Sequence, residues 1–308
     1  MAALYAAVMA LEIRQLRYIV EVADQQNFSR AAERLGIAQP ALSQQVLKVE
    51  RELGFDLFLR HPRGASVTEA GQAFVVDARA AVAAFDEAVD RAGRRSRGET
   101  GQLTVGFTAA AALDLMPRIL TAFSDRYPNV DVRLQESTFA DPSGGLASKS
   151  SDVAFVNLPL PEGLWYELLG EDARVVALPE AHPLARREQI SVSEILDEPV
   201  VGAPGADEAW KRFWLLEDYR DGRPAPVAAQ AETHEAELQI VASGRAISVT
   251  CGVSSRYYAR PGIVFVPIAD VPPSQVVVAY QAGEAEPLVQ NFVRLAAEVR
   301  DGITSAPG

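Results

Sequence analysis

Residues 27–54 read NFSRAAERLGIAQPALSQQVLKVERELG, and the architecture of the first part of the chain follows from them. Asn27 or Ser29 can cap a helix, which Gly36 then ends, because glycine tolerates the left-handed backbone found at helix C-termini. The longer helix that follows carries Pro40 in its first turn, where proline is well tolerated. A short helix, a glycine-bearing turn and a longer helix together predict a helix-turn-helix.

The longer helix of this stretch, which we expect to end near Leu53, has two chemically different faces. Apolar side chains at spacings of four and three predict a buried face made of Leu42, Val46, Val49 and Leu53. The opposite face carries Pro40, Gln44, Leu47 and Arg51, and it is flanked by Ser43 and Lys48. It therefore presents an amide, a hydroxyl and two cations beside the apolar side chains of Pro40 and Leu47. Because such groups can pair with base edges, this face favours DNA readout. The alternative is a structural three-helix bundle with a solvated polar face.

The segments that flank the helix-turn-helix complete a small helical head. Ahead of it, apolar residues at helical spacing predict an amphipathic helix over Glu12–Gln25. Behind it, two β-prone pieces within residues 55–68 surround a Pro/Gly turn and predict a hairpin. Arg60 and Arg63 at the hairpin tip favour a wing that contacts DNA phosphates or the minor groove.

A long helix with a heptad seam is predicted after the hairpin. Thr68 can cap this helix, and Glu69 suits its first turn because the helix dipole favours acidic residues there. Its apolar residues alternate at spacings of three and four, at Val75, Ala78, Val82, Phe85, Val89 and Ala92. A long helix with so narrow a seam needs a partner, so we favour dimerisation over packing on its own domain's core. Gly98 and Gly101 then mark a domain boundary.

Five motifs keep their order and spacing without a break from residue 12 to residue 71: RQLRY at 14–18, FSRAAERL at 28–35, QPALSQQV at 39–46, ExxLGxxLFxR at 50–60 and TEAG at 68–71. They resemble the N-terminal domain of LysR-type transcriptional regulators. Weaker matches continue through the second half, at GFT 106–108, SDVAFV 151–156, HPLA 182–185 and IVASGRAIS 240–248. The resemblance therefore covers nearly the whole chain.

The resemblance implies that double-stranded promoter DNA is the partner of the head. The side chains expected to read bases are Gln39, Pro40, Ser43 and Gln44, with Gln45 supporting them. The side chains expected to hold the DNA backbone are Ser29, Lys48, Arg60 and Arg63. The sequence departs from the family pattern in the head, because Ala38 stands where a serine or threonine often caps the helix and Leu47 where a basic residue is frequent.

Short apolar runs alternate with helical patterns in the second half, which predicts an α/β domain with mostly parallel sheets. No Walker A, G-x-G-x-x-G or G-x-S-x-G motif is present, so we expect no enzyme and no cofactor. His234 and Glu235 are read as a surface pair at a helix N-terminus. Trp210, Phe213 and Trp214 are read as core residues rather than ligand contacts, and Cys251 as a buried apolar residue.

The resemblance further implies an effector domain of two subdomains shaped like a periplasmic binding protein, with a small-molecule effector in the cleft between them. Subdomain I is expected at about 102–157 and 272–300, and subdomain II at about 158–271. Ligands in such sheets sit at the carboxyl ends of strands. The residues expected to contact the effector are Thr108, Ala109, Thr138, Phe139, Phe155, Asn157, Ala203, Pro204 and Thr250. Thr108 leads this set, because the family uses a serine or threonine there.

The net charge of −12 at first argues against nucleic acid as a partner. However, residues 1–98 hold 13 basic and 12 acidic residues, whereas the rest of the chain holds 16 basic and 29 acidic ones. The acidity therefore belongs to the second half. A single cysteine and three histidines far apart in sequence exclude an intramolecular disulfide and disfavour a metal site. No run approaches the roughly 20 apolar residues of a membrane span, and we expect a cytoplasmic protein without a membrane partner.

These observations predict an all-α winged helix-turn-helix at 11–68, a linker and dimerisation helix at 69–98, and an α/β effector domain at 99–308. Residues 1–10 are expected to be an N-terminal extension, with Met9 an alternative start. The expected assembly is a homodimer that pairs into a homotetramer. The alternative class is a solute-binding protein or an enzyme with an incidental helical head; binding to the DNA upstream of its own gene discriminates between them.

Overall fold

The computed structural model describes residues 11–62, 64–205, 207–283 and 286–304. The chain divides into two compact units, one up to Arg94 and one from Arg95 onward, and each is described by itself. The predicted N-terminal extension at 1–10 and the predicted DNA contact Arg63 lie outside the described residues.

The first unit begins with three helices, α1 at Ile13–Gln25, α2 at Phe28–Leu35 and α3 at Gln39–Leu53. Asn27, not Ser29, caps α2, because its side-chain oxygen accepts hydrogen bonds from the backbone N–H groups of Ser29 and Arg30. The helices enclose an apolar core to which each contributes its buried face: Ile19, Val22, Phe28, Ala31, Ala32, Leu42, Val46, Val49 and Leu53. The four residues predicted for the buried face of α3 are all in this core.

A two-stranded antiparallel hairpin and a long helix complete the first unit. Strands β1 (Phe58–His61) and β2 (Gly64–Val67) pair in the hairpin, and α4 spans Glu69–Ser96. The Thr68 hydroxyl accepts a hydrogen bond from the Gly71 N–H at 2.8 Å at the start of α4. The heptad seam of α4 is buried at Val75 and Ala78 and becomes exposed toward its C-terminal end.

The second unit holds all remaining elements. In chain order they are β3 (Thr100–Thr108), α5 (Met116–Arg126), β4 (Asn129–Ser137), β5 (Val153–Asn157), β6 (Leu164–Asp172), β7 (Arg174–Pro179), β8 (Val200–Gly202), α6 (Glu208–Trp214), β9 (Val227–Gln230), α7 (His234–Ala242), β10 (Ser248–Cys251), α8 (Ser254–Tyr257), β11 (Ile263–Pro267), β12 (Ser274–Gln281) and α9 (Pro287–Thr304). Single-turn 3-10 helices occur at Pro183–Arg186, Val192–Glu194 and Glu217–Tyr219.

The first subdomain is built on a five-stranded sheet in the order β4-β3-β5-β12-β6. The helices α5 and α9 pack on it, and the largest buried side chains there are Ile119, Phe123, Phe155 and Phe292. The rings of Phe123 and Phe292 meet edge to face at 4.9 Å between centroids. This core fixes the positions of β3 and β5, whose carboxyl ends form one wall of the cleft described below.

The structure corrects the predicted boundary between the subdomains. Residues 158–271 were assigned to subdomain II, but β6 pairs with β12 in the first sheet, with Trp165 opposite Tyr280. The chain therefore crosses between the subdomains at residues 172–174. The pattern of β6 misled the assignment because an edge strand is half-exposed along its length and lacks strict apolar alternation.

The second subdomain holds a three-stranded antiparallel sheet in the order β10-β7-β11 and a parallel pair of β8 with β9. The prediction of mostly parallel sheets was wrong, since β12 is also antiparallel to both of its neighbours. The reason is topological: β12 returns from the second subdomain and so runs against β6, which leads into it.

Two further observations concern the part of the chain that the structure describes. No helix in it is long and apolar enough to cross a membrane. No cluster of three or more histidine, cysteine, aspartate or glutamate side chains in it has an arrangement that suits a metal ion.

Candidate DNA interface and ligand cleft

The exposed face of α3 is mainly polar, with Leu47 a large apolar side chain that is 43% exposed on it. Gln39, Pro40, Gln44 and Lys48 are exposed, and Ser43 and Gln45 are half-buried at the edge of the face. The helix begins at Gln39 without a side-chain cap, since Ala38 has no polar group to accept a hydrogen bond from the first turn. The structure thus brings all six predicted residues of α3 to one surface.

Gln45 is held from behind by a neighbouring helix. Its side-chain oxygen accepts a hydrogen bond from Nε2 of Gln15 at 3.2 Å, and the Gln15 oxygen in turn accepts one from the Glu12 N–H at 3.0 Å. Gln15 is buried on α1. This arrangement suits the supporting role predicted for Gln45, because its amide is fixed by residues that lie away from the exposed face.

Arg60 on β1 bridges the hairpin and α3. It donates a hydrogen bond to the Ser43 hydroxyl at 2.5 Å, and its guanidinium lies 4.4 Å from the centroid of the Phe28 ring. The Oε2 atom of Glu50 lies 3.9 Å from the same guanidinium. Arg60 was predicted to contact the DNA backbone; in the free protein it contacts three residues of the head and positions one predicted base-reading side chain.

Glu50 is a structural residue that sequence reasoning missed. Only 6% of it is exposed, and its Oε1 atom accepts hydrogen bonds from the N–H groups of Leu57 and Phe58 at 2.9 and 3.0 Å. The carboxylate thus ties the end of α3 to the start of the hairpin. The signal in the sequence was a charged residue next to Val49 on the apolar side of α3.

The second unit contains a cleft between its two subdomains, with about 480 Å³ of empty space counted together with the solvent at its mouth. One side is contributed by the carboxyl ends of β3 and β5, and the other by α6, α7 and β10. The lining residues are Thr108, Ala109, Ala110, Phe139, Pro142, Asn157, Trp210, Trp214, His234, Glu237, Val249, Thr250 and Cys251.

The structure brings five of the nine predicted effector residues to this cleft: Thr108, Ala109, Phe139, Asn157 and Thr250. Four lie elsewhere. Phe155 shares a face of β5 with Asn157 but lies two residues deeper, where it is fully buried in the core of the first sheet against Phe292, and Thr138 precedes the residue that reaches the cleft. Ala203 and Pro204 line a separate surface depression beside β9.

A buried hydrogen-bonded network forms the floor of the cleft. The hydroxyls of Thr250 and Ser254 lie 3.1 Å apart, and the Ser254 hydroxyl lies 3.3 Å from Nε2 of His234. The other ring nitrogen of His234 lies 2.7 Å from Oε2 of Glu237, whose second oxygen accepts a hydrogen bond from the Ser248 hydroxyl. All five side chains are at least nine-tenths buried. The prediction of a surface His234–Glu235 pair was therefore wrong for His234.

Aromatic rings form one wall of the cleft. The Phe139 and Trp210 rings lie 5.3 Å apart between centroids, and Trp210 lies 6.3 Å from Trp214. Trp214 is also part of the core of the second subdomain. The two tryptophans were considered as core residues or as ligand contacts. In the structure they pack in the core and also line the cleft.

The Cys251 thiol is buried at the cleft and lies 3.7 Å from the Ser274 hydroxyl, which donates a hydrogen bond to Asn157 at 3.1 Å. Burial raises the pKa of Cys251 to about 12. A thiol that does not ionise near neutral pH is a poor nucleophile. The geometry supports the interpretation of Cys251 as a small apolar residue.

We expect Cys251 in the folded protein to resist a disulfide reagent at about pH 8, because the reactive thiolate is suppressed. Absorbance of the released chromophore should show one reactive thiol only after denaturation. The Tyr257→Cys variant provides the control, since Tyr257 is exposed and a thiol there should react at once. Rapid full labelling of the native wild-type protein would contradict the assignment.

A winged helix-turn-helix head followed by a two-lobed α/β domain with a cleft defines a DNA-binding regulator with a ligand-binding domain. Comparison with known protein families agrees with this class. The model described as the LysR substrate binding domain matches residues 96–301. The model described as the bacterial regulatory helix-turn-helix protein of the LysR family matches residues 13–72. The chain belongs to the LysR family of transcriptional regulators.

Curated relatives and solved structures are similar along most of the chain. The transcriptional regulator BudR of Raoultella terrigena is 33% identical over 92% of this chain and all of its own, and IlvR of Caulobacter vibrioides is 30% identical over 96% and all of its own. The crystal structure of CbnR, a LysR family regulator, has a TM-score of 0.70 at 24% identity and covers 93% of this chain and all of that one. Full-length CbnR complexed with its target DNA has a TM-score of 0.69 at 24% identity, covering 94% of this chain and all of that one. These structures support the fold.

Proposed function

We propose that this LysR-type regulator binds a two-fold-related operator in bacterial promoter DNA, in the cytoplasm, through the exposed face of α3. The single observation that carries the proposal is that this face presents amides, a hydroxyl and a lysine side by side while its opposite face is buried in the head. Amide and hydroxyl side chains on a recognition helix read base edges in the major groove.

Each residue of the interface has a separate role in this proposal. Gln39, Ser43 and Gln44 hydrogen-bond to bases, Pro40 offers an apolar contact, and Gln45 is held by Gln15 as a support. Lys48 and Ser29 hold the DNA backbone, and so do Arg60 and Arg63 of the wing. Since the head is nearly neutral, nonspecific attraction to DNA is weak and specificity rests on the base contacts.

The proposal is tested by replacing one base-reading side chain and one phosphate-binding side chain on the same helix. Gln44→Ala should cost about 1–3 kcal/mol of binding free energy at one base-pair position and little on operators already altered there. Lys48→Ala is the matched control and should weaken binding to all sequences alike, lowering the salt slope by about one. Fluorescence anisotropy with single-substitution duplexes measures both effects, and an equal loss for Gln44→Ala on every duplex rejects the base-reading role.

The protein acts in this proposal as a homodimer that pairs into a homotetramer. The support is the seam of α4, where Phe85 and Val89 are exposed within the first unit although they continue the buried stripe of Val75 and Ala78. A second copy of the helix would cover them and place two heads on two half-sites.

The cleft of the second unit binds a small-molecule effector that shifts the equilibrium between quaternary arrangements. A ligand does this only if its affinity differs between the two arrangements. The support is the cleft itself, since it combines apolar walls with a few convergent polar groups, as ligand sites commonly do.

A further inference from the structure

The charged groups that face the cleft are unusually few. None of the described residues that line it is a lysine or an arginine. The ionisable side chains among them are the Glu237 carboxylate, the His234 imidazole that lies 2.7 Å from it, and the buried Cys251 thiol. The lining therefore holds a carboxylate and no permanently cationic side chain.

Two arginines of the second subdomain are already occupied. Arg260 pairs with both oxygens of Glu235 at 2.7 Å, and this guanidinium lowers the pKa of Glu235 to about 2. The buried Arg174 donates to the carbonyl oxygens of Pro272 and Phe213 at 2.9 and 3.0 Å. Neither side chain lines the cleft, so neither neutralises an anion bound there.

Backbone amides at the end of β3 are the other groups able to bind an anion. The Ala111 N–H donates to the Thr108 carbonyl at 3.1 Å. One amide of this turn is thus used within the protein. A carboxylate in the cleft could accept hydrogen bonds from neutral donors, but its charge would be buried without a cation in a lining that also holds the Glu237 carboxylate, which is unfavourable.

What the cleft does offer suits a flat uncharged molecule. Phe139 and Trp210 present aromatic rings, and the hydroxyls of Thr108 and Thr250 and the Asn157 amide offer hydrogen bonds at the edge of the same space. Aromatic faces bury apolar rings favourably, while hydroxyl and amide groups pair with neutral polar substituents without a charge penalty.

We infer that the effector is an uncharged molecule with a flat apolar ring and neutral hydrogen-bonding substituents, and that the cleft discriminates against carboxylates. This inference rests on the proposed function, because it names the chemical class of the ligand that the cleft would bind. The ring lies against Phe139 and Trp210, and the polar substituents face Thr108, Asn157 and Thr250.

The test uses the full-length protein and three ring systems, benzene, indole and naphthalene, each as the carboxamide, the carboxylate and the aminomethyl compound. Isothermal titration calorimetry should give at least about tenfold tighter binding for a carboxamide than for the matched carboxylate, because the latter is desolvated without a cation. Trp210→Ala should abolish that binding. Trp165→Ala removes an exposed tryptophan outside the cleft and is the matched control, expected to bind like the wild type.

A second variant tests the charge argument by itself. Glu237→Gln removes the protein's carboxylate from the lining at nearly constant shape. It should reduce the ratio by which the carboxamide ligand binds more tightly than the carboxylate ligand. Its folding is checked by the thermal transition of the same sample. An unchanged preference in a folded Glu237→Gln protein overturns the electrostatic part of the inference.

Other outcomes of the panel overturn the inference as well. These are a carboxylate that binds as tightly as its carboxamide, an aminomethyl compound that binds most tightly, and the absence of binding by all nine compounds. Failure of the proposed function is recognised separately, as the absence of binding to the upstream intergenic DNA in the anisotropy assay, whatever the cleft binds.

Discussion

Phe85→Glu should separate the helices that pair through α4, halve the mass of the assembly and lower its affinity for a two-half-site operator by about 10²–10⁴-fold. Phe85 lies in the seam of α4 and is 46% exposed, and Val89 one turn further is 55% exposed. A glutamate there would bury a charge against the apolar seam of the second helix, which is unfavourable on both helices. Without the pairing, each head binds its half-site alone and the gain from linkage is lost.

Light scattering coupled to size-exclusion chromatography measures the mass, and anisotropy on duplexes with one or two half-sites measures the affinity. Binding to the single half-site should stay near the wild-type value, because Phe85 is remote in sequence from the reading face of α3. Ala80→Glu is the matched control, since it adds the same charge to the opposite face of α4, where Ala80 is exposed. A Phe85→Glu protein with the mass of the wild-type assembly would exclude the seam as the dimer contact.

Glu50→Ala should destabilise the head by about 3 kcal/mol, because the buried N–H groups of Leu57 and Phe58 both lose their acceptor. The start of the hairpin would then be free to separate from α3. We expect operator affinity to fall as well, since Arg60 and the wing depend on the same junction.

Hydrogen exchange measured by mass spectrometry reports this change directly in the peptide that contains Leu57 and Phe58. Its protection should fall in Glu50→Ala, whereas Glu50→Gln should keep most of it because the amide oxygen still accepts. Glu33→Ala, at an exposed position of α2, is the surface control. Wild-type protection of that peptide in Glu50→Ala would show that the two hydrogen bonds contribute little.

The head could be predicted from sequence almost completely, because its signals are local. Helical spacing, Gly36 and Gly54 at helix ends, and a dense run of family motifs all lie within sixty residues. What escaped prediction were contacts between segments distant in sequence: the Glu50 carboxylate with the hairpin backbone, and Arg60 with Ser43. Such contacts depend on tertiary geometry that no spacing rule encodes.

The cleft was predictable only in outline. The rule that ligands gather at strand ends found Thr108, because it ends a strand that the apolar pattern had marked, but it failed at Ala203 and Pro204. An expected chain crossing pointed to Asn157, which lines the cleft, and to Phe155, which lies deeper on the same face of β5. The strand-end rule also missed His234 and Glu237, whose helix looks polar in sequence but turns these two side chains inward. A buried polar network has no periodic signature, and β6 lacked one because it is a half-exposed edge strand.

The place where the chain passes between the two lobes limits how they can move. Arg174 lies where the chain first passes between the lobes, at residues 172–174. Its side chain donates a hydrogen bond to the carbonyl of Pro272, where the chain passes back, and its guanidinium lies 4.3 Å from the centroid of the Phe213 ring. Pulling the passages apart would strand a buried guanidinium, which is far costlier than breaking one neutral hydrogen bond. The lobes are therefore expected to rotate about a fixed axis near Arg174. Ligand binding in the cleft would then change the angle between the lobes at the surface of the domain and leave the length of the domain unchanged.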